Sequence, residues 1–386
     1  QATTKRATLL IMVVFLLQPL ALGGWFALIP EIKASLSLTK GQLAVPLMAI
    51  PIALVPSLQV AGRVISKFGP RRVAAVAFPL QALAFLGPLI AWDAASLFVA
   101  LFLAGVCMAF VEVAMNVYAG RLEKASAALI MNRCHGFWAL GLMVGSGTIA
   151  LAGAYYGAQV GLALVSAVFG AAAAWVLPRL AGEDEATGAP RRSFSAMPPA
   201  LFFIATFMFV VTLTEGVMAD WAAVYMAERL GAPGAAAALA VTVFSAFMAG
   251  GRFAGDYLKR RLGAVRHAQT TVGCAIAGLI VVVLPVPVPF EYLGFAMLGA
   301  GVSAAYPLGV SAIAALDDRY EAPNIAFAAT MAMGGFLIGP PLIGFVSEAF
   351  SLAAAFGCLF PGLALAFWLT RWLRPRDPEP VANPAE

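Results

Sequence analysis

The stretch "GRVISKFGPRRV", from Gly62 to Val73, has a counterpart later in the chain, "GRFAGDYLKRRLG", from Gly251 to Gly263. Each copy begins with Gly-Arg, continues with a short apolar run and carries a cluster of basic residues. The two copies start 189 residues apart, which is close to half of the 386-residue chain. A segment that recurs at this offset indicates two structural repeats of the same topology, an arrangement found in many transporters.

The composition around these segments indicates a membrane protein. Apolar residues make up 62% of the chain, charged residues only 11%, and the mean hydropathy is +0.91. A soluble domain usually carries about a quarter charged residues, so most of this surface is expected to face lipid. The apolar segment from Leu9 to Pro30 is too long for the core of a signal peptide and is not followed by a small-residue cleavage site. We therefore interpret it as the first membrane span.

Counting segments of about 20 mostly apolar residues predicts twelve spans. They cover residues 7–30, 42–64, 72–91, 95–119, 128–152, 157–178, 199–227, 233–255, 265–286, 289–316, 322–347 and 351–372. The predicted fold is an all-α polytopic membrane protein with twelve transmembrane helices in two six-helix bundles. The expected domains are a first bundle (1–178), a polar cytoplasmic linker (179–198), a second bundle (199–373) and a disordered tail (374–386).

The distribution of basic residues predicts the orientation. With the N-terminus inside, twenty of the 24 Lys and Arg residues fall on the cytoplasmic side, and only Lys33, Lys40 and Arg229 fall outside. This bias places both termini in the cytoplasm and the protein in the inner (plasma) membrane. It also explains the net charge of +5 by topology, so nucleic acid is not an expected partner.

The two repeated segments resemble a loop of the major facilitator superfamily. That family carries a Gly-x-x-x-Asp-(Arg/Lys)-x-Gly-(Arg/Lys)-(Arg/Lys) pattern between its second and third spans. Ser66 stands at the Asp position here, and the second copy has an acid, Asp256, one place later. The resemblance implies that these segments gate the two halves, through Gly62, Arg63, Lys67, Gly69, Arg71, Arg72, Gly251, Arg252, Asp256 and Arg260. The missing Asp indicates an altered latch in the first half.

A looser resemblance links the run "MNRCHGFWALG", Met131 to Gly141, with Asn116 to the fucose/glucose–proton symporter branch and its uncharacterised bacterial relatives. The family implies a secondary transporter that moves a small organic solute by alternating access, with spans 1, 4, 7 and 10 around a central cavity. Protons, the solute and the lipid bilayer are the expected partners, and a monomer is the expected state. Sugar symporters of this branch use an acid in span 1, and span 1 has none here.

Spans 4 and 5 carry polar residues that are expected at one level of the membrane. Glu112 and His135 each lie seven residues from the inner end of their span, roughly 10 Å deep. Three more polar residues, Asn116, Asn132 and Arg133, lie within one helical turn of them. An ionisable residue at this depth marks a pathway, a proton relay or a structural pair. We expect Glu112 to contact Arg133 or His135, either as a clamp between the helices or as part of the transport site.

Span 7, "VVTLTEGVMADWAAVYM" from Val210 to Met226, holds two acids. Glu215 lies past the midplane on a span that is expected to line the cavity. We predict that Glu215, with Glu112 and His135, couples transport to protons, because burial disfavours a charged carboxylate and opening favours it. Asp220 and Trp221 are expected near the outer mouth, either as substrate contacts or as a wetted acid and an interfacial aromatic.

The other predicted substrate contacts are polar or aromatic residues on cavity-lining spans. Gln18 and Tyr306 offer hydrogen-bonding groups, and Trp25 offers a stacking face. With Asn116, Asn132, Asp220 and Trp221 they form the predicted substrate set.

Several alternatives are weighed by the motifs they require. No nucleotide-binding or hydrolase motif occurs, so an ATP-driven pump or an intramembrane enzyme is not expected. We expect no cofactor and no resident metal. A proton-driven exporter of drugs or metabolites remains open, although "GLMVGSG" (141–147) lacks the proline of the exporter motif and the matching run "GFLIGPPLIG" lies in span 11. A copper or other metal transporter, resting on His135 and the methionines, and a non-transporting membrane sensor also remain open.

Overall fold

The computed structural model describes residues 2–126, 130–179, 198–316 and 321–374. Within these ranges the chain is almost entirely helical and contains no strand. Apart from their edge residues, the predicted linker and tail lie outside the described residues. We refer to residues 2–179 as the N-terminal half and to residues 198–374 as the C-terminal half.

The helices follow one another with short connections. They are α1 (Ala2–Leu17), α2 (Leu20–Ser35), α3 (Lys40–Leu47), α4 (Ala49–Phe68), α5 (Pro70–Ala84), α6 (Ala94–Ser126), α7 (Met131–Tyr155), α8 (Ala158–Val176), α9 (Pro199–Leu230), α10 (Ala235–Val283), α11 (Val288–Val302), α12 (Ala305–Ala314), α13 (Glu321–Ala349), α14 (Leu352–Gly357) and α15 (Phe360–Leu369). Short 3₁₀ turns follow α5, α8 and α15.

Several spans are pairs of short helices, and a proline stands at each break. Pro19 directly precedes α2, and Pro51, Pro307 and Pro361 lie in the first turns of α4, α12 and α15. Proline has no backbone N–H, so it removes a hydrogen bond inside a helix but none in the first turn. The prolines therefore explain why α1–α2, α3–α4, α11–α12 and α14–α15 are interrupted within single spans.

Eleven helical segments of the described chain are long and apolar enough to cross a membrane. One of them, α10, has 49 residues and takes a non-helical conformation at Gly263 (φ 76°, ψ 163°). At 1.5 Å per residue it is far longer than one crossing requires. The difference from the predicted twelve lies in this segment, which covers the predicted spans 233–255 and 265–286.

Gly263 has a structural counterpart in the first half. Gly69 separates α4 from α5 with a φ of 83°. A positive φ is readily adopted only by glycine, so both repeated segments end in a glycine corner. The corner lies seven residues after Gly62 in the first copy and twelve residues after Gly251 in the second. The second copy thus continues its helix further before the chain turns.

The "GLMVGSG" run is explained by helix packing. A side chain on Gly141 or Gly145 of α7 would collide with the backbone carbonyl of Leu16 or Leu20. Small residues spaced by four positions allow helix backbones to approach closely in membranes. The run therefore holds α7 against the broken first span.

The two halves meet along α7 and α10. Gly136 faces Phe253, and the rings of Phe137 and Phe253 lie 5.6 Å apart, nearly perpendicular to each other. Further along, Thr242 donates a hydrogen bond to Ser146 across the same contact (3.1 Å). This interface brings polar residues of both halves together, as described next.

Candidate functional site

Glu215 forms a buried ion pair with Arg252. Nη2 of Arg252 lies 3.2 Å from Oε1 and 3.4 Å from Oε2 of Glu215, and the two side chains are only 8% and 12% exposed. The prediction that Arg252 belongs to a cytoplasmic loop is wrong. Because α10 continues as helix to Gly263, Arg252 lies within the span and reaches α9. The carboxylate that is otherwise unusual in an apolar helix thus has a compensating charge.

Arg252 also contacts the N-terminal half. Its guanidinium lies over the ring of Trp138 on α7, 5.6 Å from the centroid, at the range of a cation–π contact. The indole N–H of Trp138 donates to Oε1 of Gln18 (2.7 Å), and Gln81 donates to the backbone carbonyl of Gln18 (3.0 Å). A continuous polar chain therefore runs from α9 and α10, across the interface, to the break in the first span.

The side-chain amide nitrogen of Gln18 is an unused donor group. Its side chain is fully buried and its Nε2 atom has no hydrogen-bond partner. A buried donor without a partner is costly, and Gln18 lies at the Pro19 break on a helix that is expected to line the cavity. This atom is suited to donate a hydrogen bond to a solute.

A second polar group lies next to this chain. Asn116 donates to Oε1 of Glu112 (3.0 Å), one turn away on α6. The His135 ring lies between Phe15 of the first span and Tyr306 of α12, at centroid distances of 5.5 and 6.1 Å. Tyr306 is within electrostatic range of both Glu112 and Arg252. The structure thus brings the predicted residues Glu112, Asn116, His135, Glu215 and Tyr306 to the interface between the halves.

The expected contact of Glu112 with Arg133 or His135 is not found. Among the described side chains, Glu112 makes no ion pair with either residue, and its hydrogen-bond partner is Asn116. Arg133 is exposed and stands in the first turn of α7. The side chain of Asn132 lies outside the described residues.

The expectation of a wetted outer mouth at Asp220 and Trp221 is also wrong. Asp220 is 8% exposed and Trp221 is fully buried. Trp221 packs against Gly344 of α13, and Tyr225 donates to the carbonyl of Val282 (2.8 Å). These residues lie inside the protein because the halves are in contact at this end. Asp220 has no hydrogen bond or ion pair among the described residues.

The contacts that close this end join the two halves directly. Nζ of Lys40 lies 3.3 Å from Glu228, and the backbone N–H of Gly41 donates to Glu348 (3.0 Å). We call this the predicted outer end, since Lys40 belongs to the sparsely basic side. Trp25, a predicted stacking residue, is fully buried.

Glu291 was not recognised as an intramembrane acid from the sequence. It is fully buried, and its Oε1 atom accepts from Nε of Arg229 (2.5 Å) and from the hydroxyl of Tyr225 (3.2 Å). The sequence feature that could have revealed it is an acid in the first turn of an apolar segment that follows "LPVPVP". This pair joins α9 to α11 within the C-terminal half.

The predicted gating residues of the first copy occupy a different environment from those of the second. Gly62, Arg63 and Lys67 are exposed, and the hydroxyl of Ser66 donates to the carbonyl of Arg63 (2.8 Å). Gly251, in contrast, is packed against Ser303 so closely that a side chain could not fit. The described residues contain no group of three or more His, Cys, Asp or Glu placed to hold a metal ion.

Comparison with known proteins assigns the family. The family model of the Major Facilitator Superfamily matches residues 11–316, most of the chain. The chain belongs to the Major Facilitator Superfamily. As a member of this superfamily it is a multi-pass membrane transporter and not an enzyme.

Two curated relatives can be aligned with almost the whole length of this chain. It is 28% identical over 352 residues to an uncharacterised MFS-type transporter of Yersinia pestis, covering 89% of this chain and 90% of the relative. It is 30% identical over 348 residues to an uncharacterised transporter of Sinorhizobium fredii, covering 89% and 91%.

Solved structures of superfamily transporters share its fold. A mutant of the nucleoside transporter NupG superposes with a TM-score of 0.76 at 14% identity, covering 95% of this chain and all of that one. A bacterial homologue of the lysosomal transporter Spinster, inward-facing, gives 0.71 at 14% identity, covering 96% and 97%. The fucose:proton symporter FucP of E. coli gives 0.66 at 17% identity, covering 96% and 98%. At these identities the likeness concerns the fold alone.

Proposed function

We propose that this transporter moves a small polar solute together with protons, by alternating access between its two halves. The observation that carries the proposal is the polar chain from Glu215 through Arg252 and Trp138 to Gln18. It places an ionisable pair at the interface whose rearrangement opens and closes a superfamily transporter. A proton that binds Glu215 removes the charge that holds Arg252, so protonation and the contact between the halves are energetically linked.

The neighbouring residues supply the solute site. Gln18 has a free donor, Asn116 and Tyr306 offer hydrogen-bonding groups, and Trp138 offers an aromatic face. Sites of this kind combine apolar walls with a few convergent polar groups. A solute with several hydroxyl or amide groups fits this set better than an apolar compound.

Glu112 is the second proton-binding candidate. Its hydrogen-bond partner Asn116 is neutral, whereas Glu215 is paired with a cation. A buried carboxylate without a compensating cation is stabilised by taking up a proton. The two acids therefore respond differently to burial, and one lies in each half of the chain.

Export against a proton gradient is the second candidate function. The chain does contain a proline run of the exporter type, "GFLIGPPLIG", although its Pro340 and Pro341 lie inside α13 and not in the fifth span. The direction of proton movement relative to the solute separates symport from export.

A stabilisation screen followed by transport tests the proposal. Purified protein is screened for thermal stabilisation by sugars, polyols, amino acids, vitamins and organic acids. The best ligands are then applied to proteoliposomes that contain a trapped pH-sensitive dye. We expect solute entry to acidify the lumen. Alkalinisation would favour the exporter, ligand binding without any transport would favour a sensor, and solute uptake with a constant internal pH would remove proton coupling.

A further inference from the structure

A narrow crevice enters the C-terminal half at the end opposite to the closed one. Its lining residues belong to α10, to the turn between α11 and α12, and to α12, all in the C-terminal half, and it reaches the interface between the halves only at Arg252. Its polar lining consists of Arg252, Asp256, Lys259, His267, Ser303 and Ser311. The space is about 20 Å³ as traced by the centre of a water molecule, and one water needs about 10–15 Å³ on that measure. The crevice therefore holds about one water beyond those at its mouth.

The charged residues of the crevice form a series of increasing depth. Arg252, Asp256 and Lys259 are spaced by four and three residues, so they share one face of α10. Counted from the Gly263 corner at about 1.5 Å per residue, they lie roughly 17, 11 and 6 Å along the helix. The deepest, Arg252, is the partner of Glu215. The crevice therefore leads from the predicted cytoplasmic end to the ion pair.

His267 is the unusual residue of this lining. It is 2% exposed, and neither of its ring nitrogens has a hydrogen-bond partner. Buried polar groups are almost always hydrogen-bonded, so an imidazole with two unused nitrogens requires an explanation. Because His267 lines the crevice, water that enters there is the available partner for its ring nitrogens.

We propose that this crevice is the path by which protons pass between the cytoplasmic end and Glu215, apart from the solute, with His267 as the relay. The inference rests on the proposed proton coupling. A neutral imidazole accepts a proton at one nitrogen and releases another from the second. The proton leaves the Glu215 carboxyl group through water beside Arg252, binds one ring nitrogen of His267, and the other nitrogen gives a proton to water at the mouth. Histidine is again neutral but as the other tautomer, and a ring flip or exchange with water restores the first one. Glu215 is again ionised and paired with Arg252.

The surroundings of His267 are suited to this role. The charged groups of the crevice, Arg252, Asp256 and Lys259, all lie on the first limb of α10. The polar groups on the opposite side are the hydroxyl groups of Ser303, in the turn after α11, and of Ser311 in α12. The hydroxyl of Ser303 donates to the carbonyl of Ala300 (2.7 Å), which leaves its oxygen free to accept from water.

The first test measures proton exchange at His267 without any solute. The chain contains only two histidines, so isotope labelling of histidine in the full-length protein in lipid nanodiscs gives two ring signals, assigned with His135→Gln. After transfer to D₂O we expect the His267 ring to exchange quickly, and Ser311→Leu, which fills the mouth, to slow it while His135 is unaffected. A His267 ring that stays protected like the core backbone amides, or that ignores the plug, overturns the path.

The second test separates the path from the proposed function. His267→Gln and His267→Phe are expected to lose solute-driven proton movement in proteoliposomes but to keep exchange of labelled solute, with Thr270→Val, an exposed neighbour on the same helix, as the control. Two substitutions are used so that a folding defect in one is recognised. Wild-type proton movement that persists in both variants contradicts the path alone, whereas its absence in wild type contradicts the proposed function.

Discussion

The guanidinium of Arg252 lies 3.2 Å from the carboxylate of Glu215, and the same group lies over the ring of Trp138 in the other half of the transporter. Arg252 is thus shared between an acid that can take up a proton and an aromatic residue across the interface. When Glu215 is protonated, the attraction that positions Arg252 weakens, and with it the contact with Trp138. This relationship gives a physical basis for linking proton binding to movement of the halves.

Removing one partner of the pair should destabilise the protein more than removing both. Arg252→Gln leaves an unpaired buried carboxylate, and loss of one partner of a buried pair typically costs about 3–5 kcal/mol. We expect the thermal midpoint in detergent to fall clearly in Arg252→Gln and to recover partly in the double variant with Glu215→Gln. Arg63→Gln, the exposed equivalent in the first repeat, is the matched control and should behave like wild type. Equal midpoints for the single and double variants would show that the pair is not coupled.

Asp220 should respond differently from Glu215. It is buried without a hydrogen bond or ion pair among the described residues, and burial of this kind favours the neutral carboxylic acid. We therefore expect Asp220→Asn, which resembles the protonated acid in shape, to keep the thermal midpoint of the wild-type protein. Glu215→Gln, which leaves Arg252 without its anion, should lower it. A thermal midpoint for Asp220→Asn as low as that for Glu215→Gln would indicate a charged Asp220 with a partner.

The difference between these acids could not be derived from the sequence. Span lengths and the repeated segment identified the fold, because hydrophobic length and glycine corners are local properties. The repeat predicts a cytoplasmic loop near Gly251, so it does not reveal Arg252 as the partner of Glu215; in the structure the helix continues to Gly263. The sequence predicts a wetted Asp220 near the outer mouth. Its burial depends on which end of the transporter is closed, and closure follows from the contacts between the halves, which local sequence does not reveal.

We predict that the indole N–H of Trp138, and not only its ring, contributes to solute binding. Trp138→Phe keeps an aromatic face under Arg252 but leaves Oε1 of the fully buried Gln18 without its donor. An unsatisfied buried acceptor costs about 1–3 kcal/mol, and Gln18 is a proposed solute contact. We expect weaker solute binding in Trp138→Phe, measured by ligand stabilisation, and no effect of Trp175→Phe, an exposed tryptophan. Unchanged solute affinity in Trp138→Phe would separate Gln18 from the solute site.

The contacts at the predicted outer end should control which end is open. Lys40–Glu228 and Gly41–Glu348 are exposed cross-half contacts, and such pairs contribute about 0–1 kcal/mol each. The double variant Glu228→Gln and Glu348→Gln removes up to about 2 kcal/mol and should therefore shift the population toward opening at this end by up to roughly thirtyfold. Distances between spin labels at Ser37 and Gly231 report the shift. Asp93→Asn, an exposed acid at the same end that bonds Ser96 within its own half, is the control, and a shift of equal size there would contradict a specific closing role.

His267 shows how a single backbone feature changes an interpretation. The sequence places it at the start of the predicted span 265–286, next to a basic segment at the cytoplasmic end, where exposure is expected. The positive φ of Gly263 lets the second limb of α10 begin directly at the corner, so His267 is buried four residues later. Neither burial nor the crevice beside it follows from local composition, since both depend on how α10 folds back against α11 and α12.

The most direct test of proton-coupled transport uses Glu215→Gln and Glu112→Gln in proteoliposomes. Each substitution keeps the size of the side chain and mimics its protonated form. With a solute found in the stabilisation screen, we expect at least one variant to lose accumulation driven by a pH gradient while it still exchanges labelled solute across the membrane at equal pH. Accumulation equal to wild type in both variants under the same gradient would contradict coupling through these acids.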